Sequence, residues 1–80
     1  MIVKGSVVKS SAGHDSGSFY AVLETDGAFA WIADGRLRKL QKPKKKNHRH
    51  LKPTNTVLDA QDLQTNKLLK KALSAFNQDL

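Results

Sequence analysis

The sequence predicts a mainly β fold in which five short strands precede one short C-terminal amphipathic α-helix. Runs of β-branched and aromatic residues alternate with Gly-, Ser- and Asp-rich turns over residues 1–58. The apolar period changes to helical spacing only from Thr65 onward. With 80 residues and no cysteine, the chain is near the lower size limit at which one hydrophobic core holds a fold without disulfides or metals.

The first two strands flank a turn. Residues 1–10 contain valines and an isoleucine, and residues 19–23 resume an apolar run of β-favouring residues. Between them, residues 11–17 are rich in Ser, Gly and Asp, with glycines at Gly13 and Gly17. We expect this segment to reverse the chain, either as its whole purpose or with contact to a binding partner as an added role.

Two Asp-Gly pairs bracket the third strand. Asp26-Gly27 and Asp34-Gly35 are the dipeptides typical of type I′ hairpin turns, in which both central residues take positive φ. Residues 28–33 between them are apolar and aromatic. The pattern predicts a strand over 28–33 with a tight turn at each end.

The fourth strand is predicted at 36–40. Its cations and leucines alternate, with a slip at Lys39, and this alternation predicts that Leu37 and Leu40 face inward while Arg36 and Arg38 face water.

The rest of the sheet is less regular in sequence. Residues 41–47 contain Pro43 within a lysine run, which excludes a central strand and indicates an exposed loop. Residues 48–52 fit a short strand or an extended segment. A turn at 53–55 and a closing strand at 56–58 complete the prediction.

The C-terminal segment predicts a short amphipathic helix. Leu69, Leu73 and Phe76 recur on one face, and Thr65 or Asp62 is available to cap its first turn. The apolar face either packs on the sheet or docks another protein.

Five short strands in so small a chain predict a strongly bent sheet, a small SH3-like barrel that hides most of its strand edges. The expected division is a barrel over 1–58, with a basic loop at 41–50, and a linker and helix over 59–80. No segment approaches the roughly 20 apolar residues of a membrane span, and residues 1–9 lack a secretory signal. We expect a cytoplasmic monomer that does not bind membranes.

The cations are concentrated in one stretch. Nine of the fourteen Lys and Arg residues lie within residues 36–52, and no Asp or Glu interrupts them. Neighbouring like charges repel each other, so an external polyanion explains the concentration well. A solvated loop that confers solubility is the alternative.

The candidate site follows from this charge pattern. Arginines offer bidentate contacts to phosphate or a guanine edge, lysines act as point charges, and histidines can stack on unpaired bases. The predicted RNA-binding residues are Lys9, His14, Arg36, Arg38, Lys39, Lys42, Lys44, Lys45, Lys46, His48, Arg49, His50 and Lys52.

The aromatic residues have two interpretations. Phe19, Phe29 and Trp31 either fill the core or form an exposed platform on which bases stack. Adjacent Phe19 and Tyr20 point to opposite faces of their strand, so one of them is exposed or covered by the helix.

Catalysis and metal binding are not predicted. His48 and His50 have a spacing that suits a metal, but no cysteine or nearby carboxylate completes a shell. His14, Asp15 and Ser16 are adjacent and do not reach triad geometry in one tight loop. We expect no enzyme activity, no cofactor and no metal.

The loop between the first two strands carries a resemblance to a known motif. The segment GSVVKSSAGHDSGSFYAV at 5–22 resembles the KOW motif, and Gly17 matches its characteristic glycine, with Gly13, Gly27 and Gly35 as further structural glycines. The segments ADGRLRKL, KPKKK and HLKPTNT at 33–40, 42–46 and 50–56 are similar to the small bacterial KOW-domain RNA-binding proteins, and these to the eukaryotic-type large-subunit ribosomal protein fourteen family.

The resemblance covers roughly residues 2–58. It implies a KOW-type SH3-like barrel that binds ribosomal or other structured RNA and is associated with the ribosome or translation. KOW domains also bind proteins, so a protein-interaction barrel that docks on an acidic partner surface, or a transcription or translation factor, is the alternative.

Overall fold

The computed structural model describes residues 1–11, 13 and 16–78. The strands are β1 Ser6–Ser10, β2 Phe19–Thr25, β3 Phe29–Ala33, β4 Lys44–Asn47 and β5 Leu51–Val57. A 3-10 turn at His48–His50 joins β4 to β5, a second one spans Ala60–Leu63, and helix α1 covers Asn66–Asn77. The mainly β prediction with one C-terminal helix is therefore confirmed over the described residues.

The strands form one antiparallel sheet in the order β4-β3-β2-β1-β5. β4 and β5 are its two edges, yet only the three residues His48–His50 connect them. Such a turn advances about 6 Å, whereas four gaps between strands of a flat sheet would span about 19 Å. The sheet must therefore curl strongly, as in an SH3-like barrel. No ladder joins β4 to β5 among the described strands, so the barrel is not closed.

The curl encloses the inner face of the sheet, and helix α1 covers part of the outer face. The inner face encloses one apolar cluster, and the outer face carries a second cluster that α1 covers. The inner cluster comprises Val8, Tyr20, Val22, Ala30, Ile32 and Leu51, and the outer cluster Val7, Ala21, Ala33, Leu69 and Leu73. Successive residues of a strand face opposite sides, which explains why adjacent Val7 and Val8 belong to different clusters.

Helix α1 packs on the outer face in cis. The Thr65 hydroxyl caps it by accepting a hydrogen bond from the Leu68 N–H at 3.1 Å. Near the end of the helix, the centroids of the Phe76 and Phe19 rings lie 5.3 Å apart. The Asn77 amide also accepts from the Phe19 N–H at 2.9 Å and donates to the Phe19 carbonyl at 3.1 Å. These contacts fix the helix against β2. No helix in the described part of the chain is long and apolar enough to cross a membrane.

The predicted strand at 36–40 is wrong. Asp34, which is 8% exposed, accepts hydrogen bonds from the backbone N–H groups of Arg36 and Arg38 at 2.8 and 2.9 Å. This Asx-type turn folds the chain into a loop, because the local side chain competes with the sheet for the backbone. Leu37 is consequently 73% exposed, and only Leu40 packs against the outer cluster.

Two further segments predicted as irregular are strands. The lysine run predicted as a loop contains β4, and Pro43 lies immediately before that strand. The predicted turn at 53–55 lies within β5, where Pro53 pairs with Val8. Both strands are edges of the sheet, where proline and repeated lysine are tolerated. The exclusion of a central strand at 41–47 is confirmed.

The Asp-Gly turns have a different geometry from the predicted type I′. Among the described residues only glycines have positive φ, and Gly27 is not one of them. Instead, Asp26 accepts hydrogen bonds from the N–H groups of Ala28 and Phe29 at 3.1 and 3.0 Å. At the other turn Gly35 has a φ of 78°. A side chain there would collide with the backbone carbonyl of Asn66, so this glycine permits the close approach of α1.

Candidate nucleic-acid interface

Two aromatic side chains of β3 lie outside both cores. Phe29 and Trp31 are two residues apart and therefore share a face of the strand. Both are half-buried, whereas Ala30 and Ile32 between and beside them are fully buried in the inner cluster. These two rings therefore do not fill either core cluster, whereas Phe19 packs beside the outer cluster. Whether bases stack on Phe29 and Trp31 stays a prediction.

A lysine of β4 lies across the two rings. Lys45 is the direct cross-strand partner of Trp31. Its Nζ lies 4.3 Å from the centroid of the Phe29 ring and 5.6 Å from that of Trp31. Such cation–π contacts contribute about 0.5–1 kcal/mol each at exposed sites. We call Phe29, Trp31 and Lys45 the aromatic platform; it combines two π-faces with one exposed positive charge.

The three consecutive lysines of β4 have different environments. Lys45 is exposed and Lys44 half-buried, while Lys46 is only 8% exposed and pairs with Ala30, a residue of the inner cluster. The alternation of the strand produces this difference. Lys46 therefore offers little surface to a partner, although the sequence placed it in the same site as its neighbours.

The loop that follows β3 carries a second group of cations. Arg36, Lys39 and Lys42 are exposed and Arg38 is half-buried. Asp34 fixes the path of this loop through its two backbone hydrogen bonds. A cleft of about 290 Å³ separates the loop from α1, with Arg36 on one side and Lys70 of the helix on the other. Lys70 was not among the predicted residues.

The remaining predicted cations lie on β1, on β5 and in the 3-10 turn before β5. Lys9 of β1 is directly opposite Lys52 of β5, and both are exposed. Lys9 Nζ lies 5.7 Å from the centroid of the Phe19 ring. The pair lies on β1 and β5, so it shares no strand with the aromatic platform on β3 and β4. Arg49 is exposed in the 3-10 turn that connects the two edges.

The two described histidines are held within the fold and are less accessible to a partner than the sequence indicated. His48 Nε2 lies 2.7 Å from the Thr25 hydroxyl and 3.1 Å from the Phe29 carbonyl oxygen. This ring therefore ties the start of the 3-10 turn to the β2–β3 turn. His50 is half-buried, and its carbonyl accepts from the Ser11 N–H at 2.9 Å. His14 lies outside the described residues.

The backbone conformation at Gly17, the glycine on which the motif resemblance depends, favours glycine. Its φ is 89°, a conformation that other residues rarely adopt. Apart from its chain neighbours, no atom of the described residues lies within 4 Å of the position that a Cβ would occupy. The backbone conformation thus requires glycine there, and close packing within the protein does not.

An acidic turn borders the aromatic platform. The N–H groups of Phe29 and Ala28 hold the pKa of the Asp26 carboxyl below its usual range, and the charges of Lys45 and His48 act in the same direction. Asp26 therefore remains a carboxylate near Lys45. A pocket of about 380 Å³ extends from this turn along Trp31 to Pro43.

Comparison with known proteins adds no relative. No protein-family model and no curated protein matches the chain. The resemblance to KOW-domain proteins therefore stays a prediction.

Sequence reasoning missed how the aromatic residues and the acidic turn combine. The alternation in FAWIA carried one usable signal, since placing small Ala30 and β-branched Ile32 inward turns Phe29 and Trp31 outward. The pairing of Trp31 with Lys45 had no such signal, because residues 44–47 did not resemble a strand.

Proposed function

We propose that this chain is an RNA-binding protein that contacts ribosomal or other structured RNA through the aromatic platform and the cations beside it. One observation carries the proposal: Lys45 of the edge strand β4 holds its charge over two half-buried rings of β3. Lys45 also lies within a stretch of nine cations that no acidic residue interrupts. We further propose that the protein acts in the cytoplasm, at the ribosome or in translation.

The chemistry of RNA explains why both components are present. Exposed lysines and arginines neutralise phosphates and gain affinity by releasing counterions. Aromatic rings provide faces on which unpaired bases stack, contributing about 1–3 kcal/mol per base. Specific recognition of RNA mostly uses such unstacked bases in loops and bulges. In the aromatic platform, Lys45 can bind a phosphate and the adjacent rings of Phe29 and Trp31 can stack on a base.

The proposal is tested by the salt dependence of binding. We expect Lys45→Gln to weaken the binding of a labelled RNA hairpin and to reduce the slope of log affinity against log salt by about 0.7–0.9, the loss of one phosphate contact. Lys71→Gln is the matched control, because Lys71 is exposed on α1 away from β4. Fluorescence anisotropy between about 50 and 200 mM KCl measures both slopes.

Equal slopes for the two variants would contradict the assignment of phosphate binding to Lys45. Absence of salt-dependent binding by the parent protein would contradict RNA binding as a whole. Crosslinking in cells followed by sequencing of the attached RNA then identifies the target and distinguishes ribosomal RNA from other structured RNA.

A protein-interaction barrel is the second candidate function, and Leu37 favours it. This side chain is 73% exposed between Arg36 and Arg38. A large apolar side chain flanked by cations suits an acidic protein surface that has an apolar hollow. Binding of that kind depends less steeply on salt than RNA binding does, so the same titration separates the two candidates.

A further inference from the structure

Three neighbouring strands place a carboxylate, an indole and an ammonium in one row. Glu24 of β2 is the direct cross-strand partner of Trp31, and Trp31 is the partner of Lys45. The register shifts between Val22 and Glu24. Val22 belongs to the inner cluster, and the next residue, Leu23, packs on the outer cluster, as strand alternation requires. The bulge then keeps Glu24 on the side of Trp31, where regular alternation would return it to the inner face.

The bulge also forms one wall of a pocket. Trp31, Leu23 and Pro43 supply apolar surface, and Glu24, Thr25 and Asp26 supply the polar rim, around a volume of about 380 Å³. That volume lies within the range of about 300–1,000 Å³ that is typical of ligand sites. We call this space the Trp31 pocket.

The two carboxylates of the Trp31 pocket differ in availability. Asp26 already accepts two backbone hydrogen bonds. Glu24 is exposed, and its side-chain carboxylate makes no hydrogen bond or ion pair with the described residues. In the register of the sheet, Glu24 lies opposite Trp31. A carboxylate beside a stacking surface can accept hydrogen bonds from the donor edge of a planar ring.

We propose that the Trp31 pocket binds an unpaired guanine of the RNA, with the base stacked on Trp31 and its Watson–Crick edge hydrogen-bonded to Glu24. The inference rests on the proposed RNA binding and deepens it by naming the base. Lys45, on the other side of Trp31, then lies where it can neutralise a phosphate of the same strand, which offsets the repulsion between that phosphate and Glu24.

Guanine is favoured because of its hydrogen-bonding pattern. Its N1–H and N2 amino group are adjacent donors that match the two oxygens of one carboxylate, which accepts only. Adenine and cytosine place a ring-nitrogen acceptor beside their amino group, and uracil flanks its single N–H with two carbonyls. Each would set an acceptor against the negative charge of Glu24. A good bidentate pair discriminates by about 1–3 kcal/mol, or about 5- to 150-fold in affinity.

The intrinsic fluorescence of the protein provides the assay. The chain has one tryptophan, so quenching by a stacked base reports on Trp31 alone. The probes are uridine decamers whose fifth position is guanosine, inosine, adenosine, cytidine or uridine. Inosine keeps the N1–H of guanosine and lacks only its N2 amino group. We expect the guanosine decamer to bind at least about 5-fold more tightly than the inosine decamer.

Two variants locate the effect. Glu24→Gln should bring the guanosine-to-inosine ratio close to one and should strengthen binding of the all-uridine decamer a few-fold, since a negative charge near the phosphates is lost. Asp59→Asn removes the same charge at an exposed residue whose side chain caps nothing, and it should keep the ratio of the parent. Thermal melts establish that both variants are folded.

Each other outcome overturns the inference in a distinguishable way. Equal, salt-dependent binding of all five decamers would refute guanine recognition and leave RNA binding intact. Decamer binding without quenching would remove Trp31 from the site. If no RNA binds but an arginine-rich peptide quenches Trp31 in the parent and not in Glu24→Gln, the pocket is a peptide site and the proposed function fails as well.

Discussion

Truncation of Leu73 tests most directly whether α1 is an integral part of the fold. Leu73 is 1% exposed and packs in the outer cluster with Leu69 and Val7. Burial of this kind makes Leu→Ala cost about 2–5 kcal/mol. Leu73 also lines the cleft between α1 and the loop after β3, so the space left behind is accessible to water and to side-chain adjustment. We therefore expect the lower part of that range, about 2–3 kcal/mol for Leu73→Ala.

Thermal unfolding followed by circular dichroism measures this cost. For a domain of this size, each kcal/mol lowers Tm by about 4–8 °C, which gives an expected decrease of about 8–24 °C. Leu37→Ala is the matched control, because the same truncation at a side chain that is 73% exposed should change stability by less than about 0.5 kcal/mol. If both variants melt at the same temperature, α1 does not pack on the sheet in solution.

Two further predictions concern the turns. Gly17→Ala should destabilise the protein by about 1 kcal/mol in urea titrations, because φ is positive at Gly17. Gly27→Ala is the control, since Gly27 is equally open but has no positive φ, and it should be neutral or slightly stabilising. Equal effects of the two substitutions would contradict the backbone explanation. Asp26 has a folded-state pKa below its unfolded value, so its contribution is fully present above the unfolded pKa and is lost as pH falls through the lower, folded pKa. Melts at decreasing pH should therefore show a smaller loss of stability below about pH 4 for Asp26→Asn than for the parent, and parallel curves would contradict a lowered pKa of Asp26 in the folded state.

Local sequence signals predicted the elements whose residues decide their own conformation. Helix α1 follows from its apolar spacing and from Thr65, which caps the first turn. Strands β1 to β3 follow from apolar runs between turns. The failure at 36–40 has a local cause too, since the alternating pattern there competes with Asp34, whose side chain binds two backbone N–H groups. The alternation of apolar and charged residues gives no information about such hydrogen bonds between a side chain and the backbone.

The edge strands were harder to predict because their partners lie far away in sequence. β4 consists of three lysines and an asparagine, a composition with low strand propensity. It becomes a strand because β3 offers a free edge and the 3-10 turn at His48–His50 leads directly to β5. The charge of the candidate site was therefore predictable. Its division between an exposed Lys45 and a buried Lys46 was not, since it depends on the register of a strand that the sequence did not indicate.

The lysines of β4 also have a physical explanation that does not involve RNA. An open sheet edge presents unpaired backbone groups to other chains, and lysines on edge strands hinder such pairing. Protection of the edge needs charge along β4, but it gives no reason to place two half-exposed rings of β3 beside that edge, where exposed apolar surface favours association. A surface for nucleic acid needs both, because rings stack on bases while cations bind phosphates. The contact of Lys45 with Phe29 and Trp31 therefore supports binding as the reason for this lysine, and edge protection accounts only for the charge that β4 would carry in either case.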